Sequence, residues 1–111
     1  MTTFDGLPTS LRIGPFDVAV EIVDKVFDDD AWGAYVHGKQ LIQLKSEMPS
    51  KTFAIETVLH EINHAVYSLF ELRKKDCEER IVSTLAAGWT QVFRDNPRLL
   101  LWLSSAVSEA P

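Results

Sequence analysis

The sequence predicts an α+β fold: a small N-terminal antiparallel β-sheet or hairpin region followed by three helices. Two periodicities and the break between them support this. From Leu11 to Ile22 apolar residues alternate with polar or small ones, the period of a strand with one buried face. From Lys51 onward the apolar residues recur at helical spacing. Met48-Pro49-Ser50 separates the two regimes, and a strand-rich half followed by a helical half is the α+β pattern.

Residues 1–9 carry no periodic signal and read as a flexible tail ahead of one domain over 10–111. Leu11 and Ile13 begin the strand pattern, which breaks at Gly14-Pro15 and resumes through Phe16, Val18, Val20 and Ile22. Asp28-Asp29-Asp30 reads as a solvated loop, since the interleaved ligands and closing Glu of a calcium loop are absent. Ala34-Tyr35-Val36 and Gln40 to Lys45 flank His37-Gly38-Lys39 as a hairpin, with Gly38 expected to supply a positive φ. Ser50 is suited to cap the first helix. That helix carries an apolar stripe of Ile55, Val58, Leu59, Ile62, Val66 and Leu69, and its end is expected between Ser68 and Phe70. A second helix is expected with Asp76 as N-cap, carrying Ile81, Val82, Leu85, Ala86, Trp89, Val92 and Phe93. The third opens at Asp95-Asn96-Pro97, with Pro97 suited to the first helical position, and runs through Leu99 to Leu103 towards Val107.

A chain of 111 residues with 46% hydrophobic and 24% charged content fits one small core. Eleven basic against sixteen acidic residues give −5, which argues against a nucleic-acid or anionic-membrane surface. The one basic run, Arg73-Lys74-Lys75, reads as a solvated turn. Cys77 is the only cysteine, so an internal disulfide is excluded and a reducing compartment is the simpler assumption. The start lacks a basic region followed by an apolar block, and Leu99 to Leu103 is too short to span a bilayer. A cytoplasmic protein with no membrane or nucleic-acid partner is expected; its oligomeric state is not legible.

The chemistry lies in His60-Glu61-Ile62-Asn63-His64. His60 and His64 fall roughly 140–180° from the centre of the apolar stripe, so they are not core histidines. They share one face, one turn apart, and their imidazoles can converge on one ion at about 2.0–2.1 Å. Glu61 is rotated by one residue. It is poorly disposed to join that chelate but can reach a water held by the metal. Zinc lowers the pKa of such a water towards ~7, and an adjacent carboxylate can take the proton. The spacing supplies two ligands and one base, where chance would supply only a polar helix face.

A catalytic zinc site is expected to have a third protein ligand. His37 sits at a hairpin turn, where exposure is the default. Glu71 shares the helix face but lies roughly 10 Å from His64 by helix rise. Glu78 precedes Ile81, Val82 and Leu85 by three, four and seven residues, and so falls near the middle of the second helix's apolar face. A carboxylate there is costly unless paired or metal-bound. Glu79 is about 100° round, and either acid also suits a helix first turn without any metal. Glu78 is preferred, with Glu79 left open.

With these residues in hand, the chain resembles the gluzincin metallopeptidases, and more closely the very small metallopeptidases attributed to tailed phages and prophages. His60-Glu61-x-x-His64, Glu78-Glu79-Arg80-Ile81-Val82 and Arg94-Asp95-Asn96-Pro97 carry the resemblance, which spans about Leu11 to Leu103. The first motif is fairly specific and the other two are weak alone. The resemblance implies a minimal zincin-like fold and a zinc-dependent peptidase, with His60, His64 and Glu78 or Glu79 as ligands and Glu61 as base. It implies a peptide or protein substrate of unstated sequence. Tyr67, one turn after His64, could donate to a tetrahedral oxyanion, or be no more than a half-buried aromatic; Tyr35 and His37 are weaker candidates. The substrate backbone is expected to add to the edge of the Gln40–Lys45 strand. The competing function is a zinc-binding adaptor, assembly or regulatory protein without catalysis, favoured by the small size and disfavoured by the presence of Glu61.

Overall fold

The computed structural model describes residues 3–27 and 30–110, so Met1, Thr2, Pro111 and the expected loop residues Asp28 and Asp29 lie outside the described residues. Alternation begins the fold. β1 (Ser10–Ile13) turns through Gly14, at φ 58°, into β2 (Phe16–Val23), and the two pair antiparallel. Leu11, Ile13, Val18 and Val20 are buried, while Phe16 and Ile22 at the ends of β2 are exposed. β3 (Gly33–Val36) and β4 (Leu41–Lys45) form the expected hairpin around a 3₁₀ turn, His37–Lys39. The left-handed residue of that turn is Gln40, at φ 47°, and not Gly38 as expected. It follows the 3₁₀ turn, where its backbone N–H closes the turn onto the His37 carbonyl.

The sheet is mixed, which corrects the antiparallel expectation. Its order is β1-β2-β4-β3, with β2 and β4 parallel. The chain passes from β2 to the outer edge before β3 turns back and inserts β4 between them. The Gln40–Lys45 segment therefore has no free edge, and a substrate backbone cannot add there as expected. The outer edges belong to β1 and β3.

Helix α1 (Lys51–Leu69) starts where the Ser50 hydroxyl accepts the Phe53 N–H at 3.1 Å and ends within the expected window. Its buried side chains are Ala54, Thr57, Val58, Glu61, Ile62, Ala65 and Val66. That arc is centred roughly 60–70° away from the large aliphatic stripe, towards Thr57 and Glu61. The small residues Ala54 and Ala65 allow the sheet to come close on that side.

Helix α2 (Glu78–Asp95) begins one residue later than expected, with Cys77 and not Asp76 as N-cap. Asp76 instead accepts the Arg73 N–H at 2.7 Å and pairs with Arg80 at 3.2 Å. α2 crosses α1 closely because Gly88 has no side chain: a Cβ there would lie 2.5 Å from Val66 Cγ1. Helix α3 (Pro97–Glu109) opens on Pro97 as expected. Asn96 serves the fold more than the helix. Its amide accepts the Arg12 N–H and donates to the Arg12 and Val92 carbonyls, at 2.7–2.8 Å. Gln91 adds bonds to Gly14 N–H and Arg12 carbonyl, at 2.7 and 3.0 Å. The edge of β1 is thereby covered by side chains.

The segment expected as a flexible tail carries Phe4 into the core, where it is 4% exposed and stacks on Trp102 at 6.1 Å. Among the described residues no helix is long and apolar enough to cross a membrane.

Candidate metal centre

His60 and His64 stand on the exposed flank of α1, just outside its buried arc. Their Nε2 atoms are 3.1 Å apart and their rings meet edge to face, with centroids 4.7 Å apart. Two zinc–nitrogen bonds of about 2.05 Å at a tetrahedral angle put their nitrogens about 3.3 Å apart, so the pair is already close to chelating separation. As neutral imidazoles the same two atoms can share one N–H···N hydrogen bond.

Glu61 lies on the other side of that seam and is 5% exposed. It faces β3. A Cβ on Gly33 would stand 2.9 Å from Thr57 Cγ2 and 3.1 Å from Glu61 Cγ, so a glycine is what lets the strand lie against α1 here. The Tyr35 backbone N–H donates to the Glu61 carboxylate. Strand parity explains why that N–H is available. Lys45 N–H donates to the Trp32 carbonyl, so the 32–45, 34–43 and 36–41 pairs are the hydrogen-bonded ones. Gly33 and Tyr35 then direct their backbone groups away from β4, along the open edge of the sheet. Burial raises the Glu61 carboxyl above its ordinary value, opposed by the neighbouring His60 and His64 and by the Tyr35 N–H.

A cleft of about 570 Å³ runs between β3 and α1. His60, Glu61 and His64 form one wall; Gly33, Tyr35 and His37 line the other. All three histidines of the chain thus meet in one cleft. The Tyr35 phenol and His37 Nδ1 are 3.1 Å apart, and burial raises the phenol pKa. A neighbouring cleft, sharing Gly33, His60 and Glu61, is walled by Trp32 and Phe53, whose rings meet edge to face at 5.3 Å.

The remaining sequence candidates lie apart from this cleft. Tyr67 is half-buried in a separate depression with His60, Asn63, His64 and Leu85, on the α2 side. Glu78 and Glu79 are exposed in the first turn of α2, where Glu79 accepts the Ser83 hydroxyl at 3.3 Å. Glu78 lies on the same helical line as Leu85, which does border the histidines, but two turns and roughly 10 Å away along the axis. Among the described residues no three or more His, Cys, Asp or Glu side chains are grouped so that they could hold a metal ion. The residues present therefore fit zinc through two converging imidazoles, and the structure does not bring a third donor to them.

Sequence reading missed the partners of the motif. Gly33 within a strand pattern was the available signal for close backbone approach. The Asn63 carbonyl oxygen accepts the Trp89 indole N–H at 2.7 Å, tying α2 to α1 beside the histidines, and nothing in the spacing announced that pair. No family model, curated protein or solved structure matches this chain.

Proposed function

We propose that this chain is a zinc-dependent peptidase of minimal zincin-like build, working in the cytoplasm on peptide or protein substrates. One observation carries the proposal: two imidazole nitrogens 3.1 Å apart flank a carboxylate that is buried against an open sheet edge. His60 and His64 would hold the ion. Glu78, with Glu79 the alternative, is the proposed third donor, and it would have to approach the imidazoles when the metal binds, because no third donor is grouped with them among the described residues. Bound zinc would supply a water acidified towards a pKa of ~7. Glu61 takes the proton of the attacking water and returns it to the leaving amine. Its burial supports that role, because a carboxyl raised towards working pH both accepts and releases a proton readily. The substrate backbone would lie along β3, whose outward Gly33 groups and Tyr35 carbonyl border the cleft, since Asn96 and Gln91 cover the edge of β1.

The test is zinc content by elemental analysis together with cleavage of a peptide library. The parent is expected to hold one zinc per chain, and His60→Ala or His64→Ala to lose it. Glu61→Gln is expected to keep zinc and fold while losing at least ~10²-fold in cleavage. Equal cleavage by Glu61→Gln and the parent would defeat the peptidase mechanism and leave a non-catalytic zinc-binding adaptor as the better account.

A further inference from the structure

We propose that His37 donates the hydrogen bond that stabilises the tetrahedral oxyanion, and that Tyr35 holds it in the donating tautomer. This rests on the peptidase function proposed above. Hydrolysis of an amide builds negative charge on the carbonyl oxygen, and a fixed donor about 3 Å from it is worth a large part of the rate. Glu61 and the two chelating histidines occupy the α1 wall of the cleft, so such a donor is needed on the opposite wall. His37 and Tyr35 are the polar side chains lining the β3 side of the same cleft. Tyr67 borders a different depression, beside Leu85.

The pair is arranged for donation. Tyr35 on β3 and His37 at the start of the following 3₁₀ turn hydrogen-bond at 3.1 Å through the phenol and Nδ1. The Tyr35 phenol is partly buried, which keeps it protonated at neutral pH. In the proposed arrangement its O–H proton goes to Nδ1, and a neutral imidazole that accepts at Nδ1 carries its own proton on Nε2. His37 is exposed, so that Nε2–H is free to meet a substrate carbonyl. His37 keeps its proton throughout: it is a donor in the ground state and a stronger one in the transition state, and no bond to it is made or broken. Tyr35 acts only through His37 and is a positioning residue.

The experiment first establishes zinc- and Glu61-dependent cleavage by the parent. Its absence would remove the peptidase function and this proposal with it. With cleavage in hand, His37→Ala is expected to lower kcat by ~10²-fold or more with zinc content and KM unchanged. His37→Gln, which retains a side-chain N–H, is expected to recover part of the loss, and Tyr35→Phe to show a smaller one. A readout without turnover is ¹⁵N NMR of the metal-free protein. The His37 signals are expected to show Nε2 protonated and Nδ1 accepting, and Tyr35→Phe to weaken that preference. Tetrahedral phosphinate peptides are expected to bind zinc-loaded His37→Ala at least tenfold more weakly than the parent. Loss of zinc in His37→Ala would make His37 a metal ligand and overturn the proposal. Cleavage within twofold of the parent, or a proton found on Nδ1, would overturn it too.

Discussion

Gly33→Ala probes the contact that buries Glu61 while leaving the Glu61 carboxylate itself in the sequence. The new Cβ would meet Thr57 Cγ2 at 2.9 Å, Glu61 Cγ at 3.1 Å and the Gln43 carbonyl oxygen at 3.2 Å. The first two atoms belong to side chains packed in the buried arc of α1. The third is backbone of the paired strand and moves only if the β3–β4 ladder moves. Overpacking of this kind costs ~1–3 kcal/mol. Reduced freedom of the unfolded chain returns ~0.4–1 kcal/mol. The net expectation is a loss of about 1–2 kcal/mol, or roughly 4–10 °C in Tm for a domain of this length. Gly38→Ala is the matched control, since a Cβ there meets nothing within 4 Å and its φ is not positive. It is expected to be neutral or slightly stabilising. Thermal and urea unfolding of metal-free protein measure both. Hydrogen exchange at the Tyr35 amide reports the lost bond to Glu61 and is expected to quicken in Gly33→Ala alone. A Gly33→Ala protein melting within about 2 °C of the parent, with Tyr35 protection unchanged, would refute the close packing of β3 on Glu61.

Two further outcomes follow from the same geometry. In chelator, Glu61→Gln is expected to melt higher than the parent at neutral pH, because it removes a buried charge yet keeps an acceptor for the Tyr35 N–H. The folded Glu61 pKa lies above the ordinary value of 4.5, so the parent loses stability as pH rises through the interval between them. The advantage of Gln should therefore vanish below that interval, and melting curves across pH showing a constant or reversed difference would contradict it. Glu78→Ala is expected to weaken zinc binding at least tenfold and Glu79→Ala less than twofold, measured by competition with a chromophoric chelator. The reverse order would assign Glu79, and two negligible effects would exclude both.

Much of this fold was legible because its signals are local. Gly14-Pro15, Ser50 and Pro97 mark ends through backbone chemistry that depends on little else, and β1, β2, α1 and α3 begin or end where those residues require. The sheet order was not legible, because it depends on where β3 crosses, a non-local choice that alternation within each strand does not encode. The same reason hid the β3 edge and its Tyr35 N–H. The buried face of α1 was misjudged by counting only large aliphatic residues. Ala54, Ala65 and Gly33 bring helix and sheet together by being small, and so draw Thr57 and Glu61 inward. For Glu78, helical phase gives only a line shared with Leu85, since phase repeats each turn while the approach of two helices depends on their crossing point.

The three buried polar side chains among the described residues separate structural from functional burial: Thr57, Glu61 and Asn96. Thr57 Oγ1 donates to the Phe53 carbonyl at 2.8 Å, a bond within its own helix that needs no further explanation. Asn96 makes three bonds to backbone and covers a sheet edge, so its burial serves the fold. Glu61 is different. Desolvation is the largest effect on its carboxyl and outweighs the opposing pull of His60, His64 and the Tyr35 N–H. A glutamine could accept the same backbone bond without that penalty. Folding alone therefore favours an amide at position 61, and a carboxylate there works against the rest of the helix. Conflicts of this kind concentrate where a side chain serves chemistry at the expense of stability. With two imidazoles converged beside it, that conflict is what the proposed role of Glu61 as proton acceptor would require.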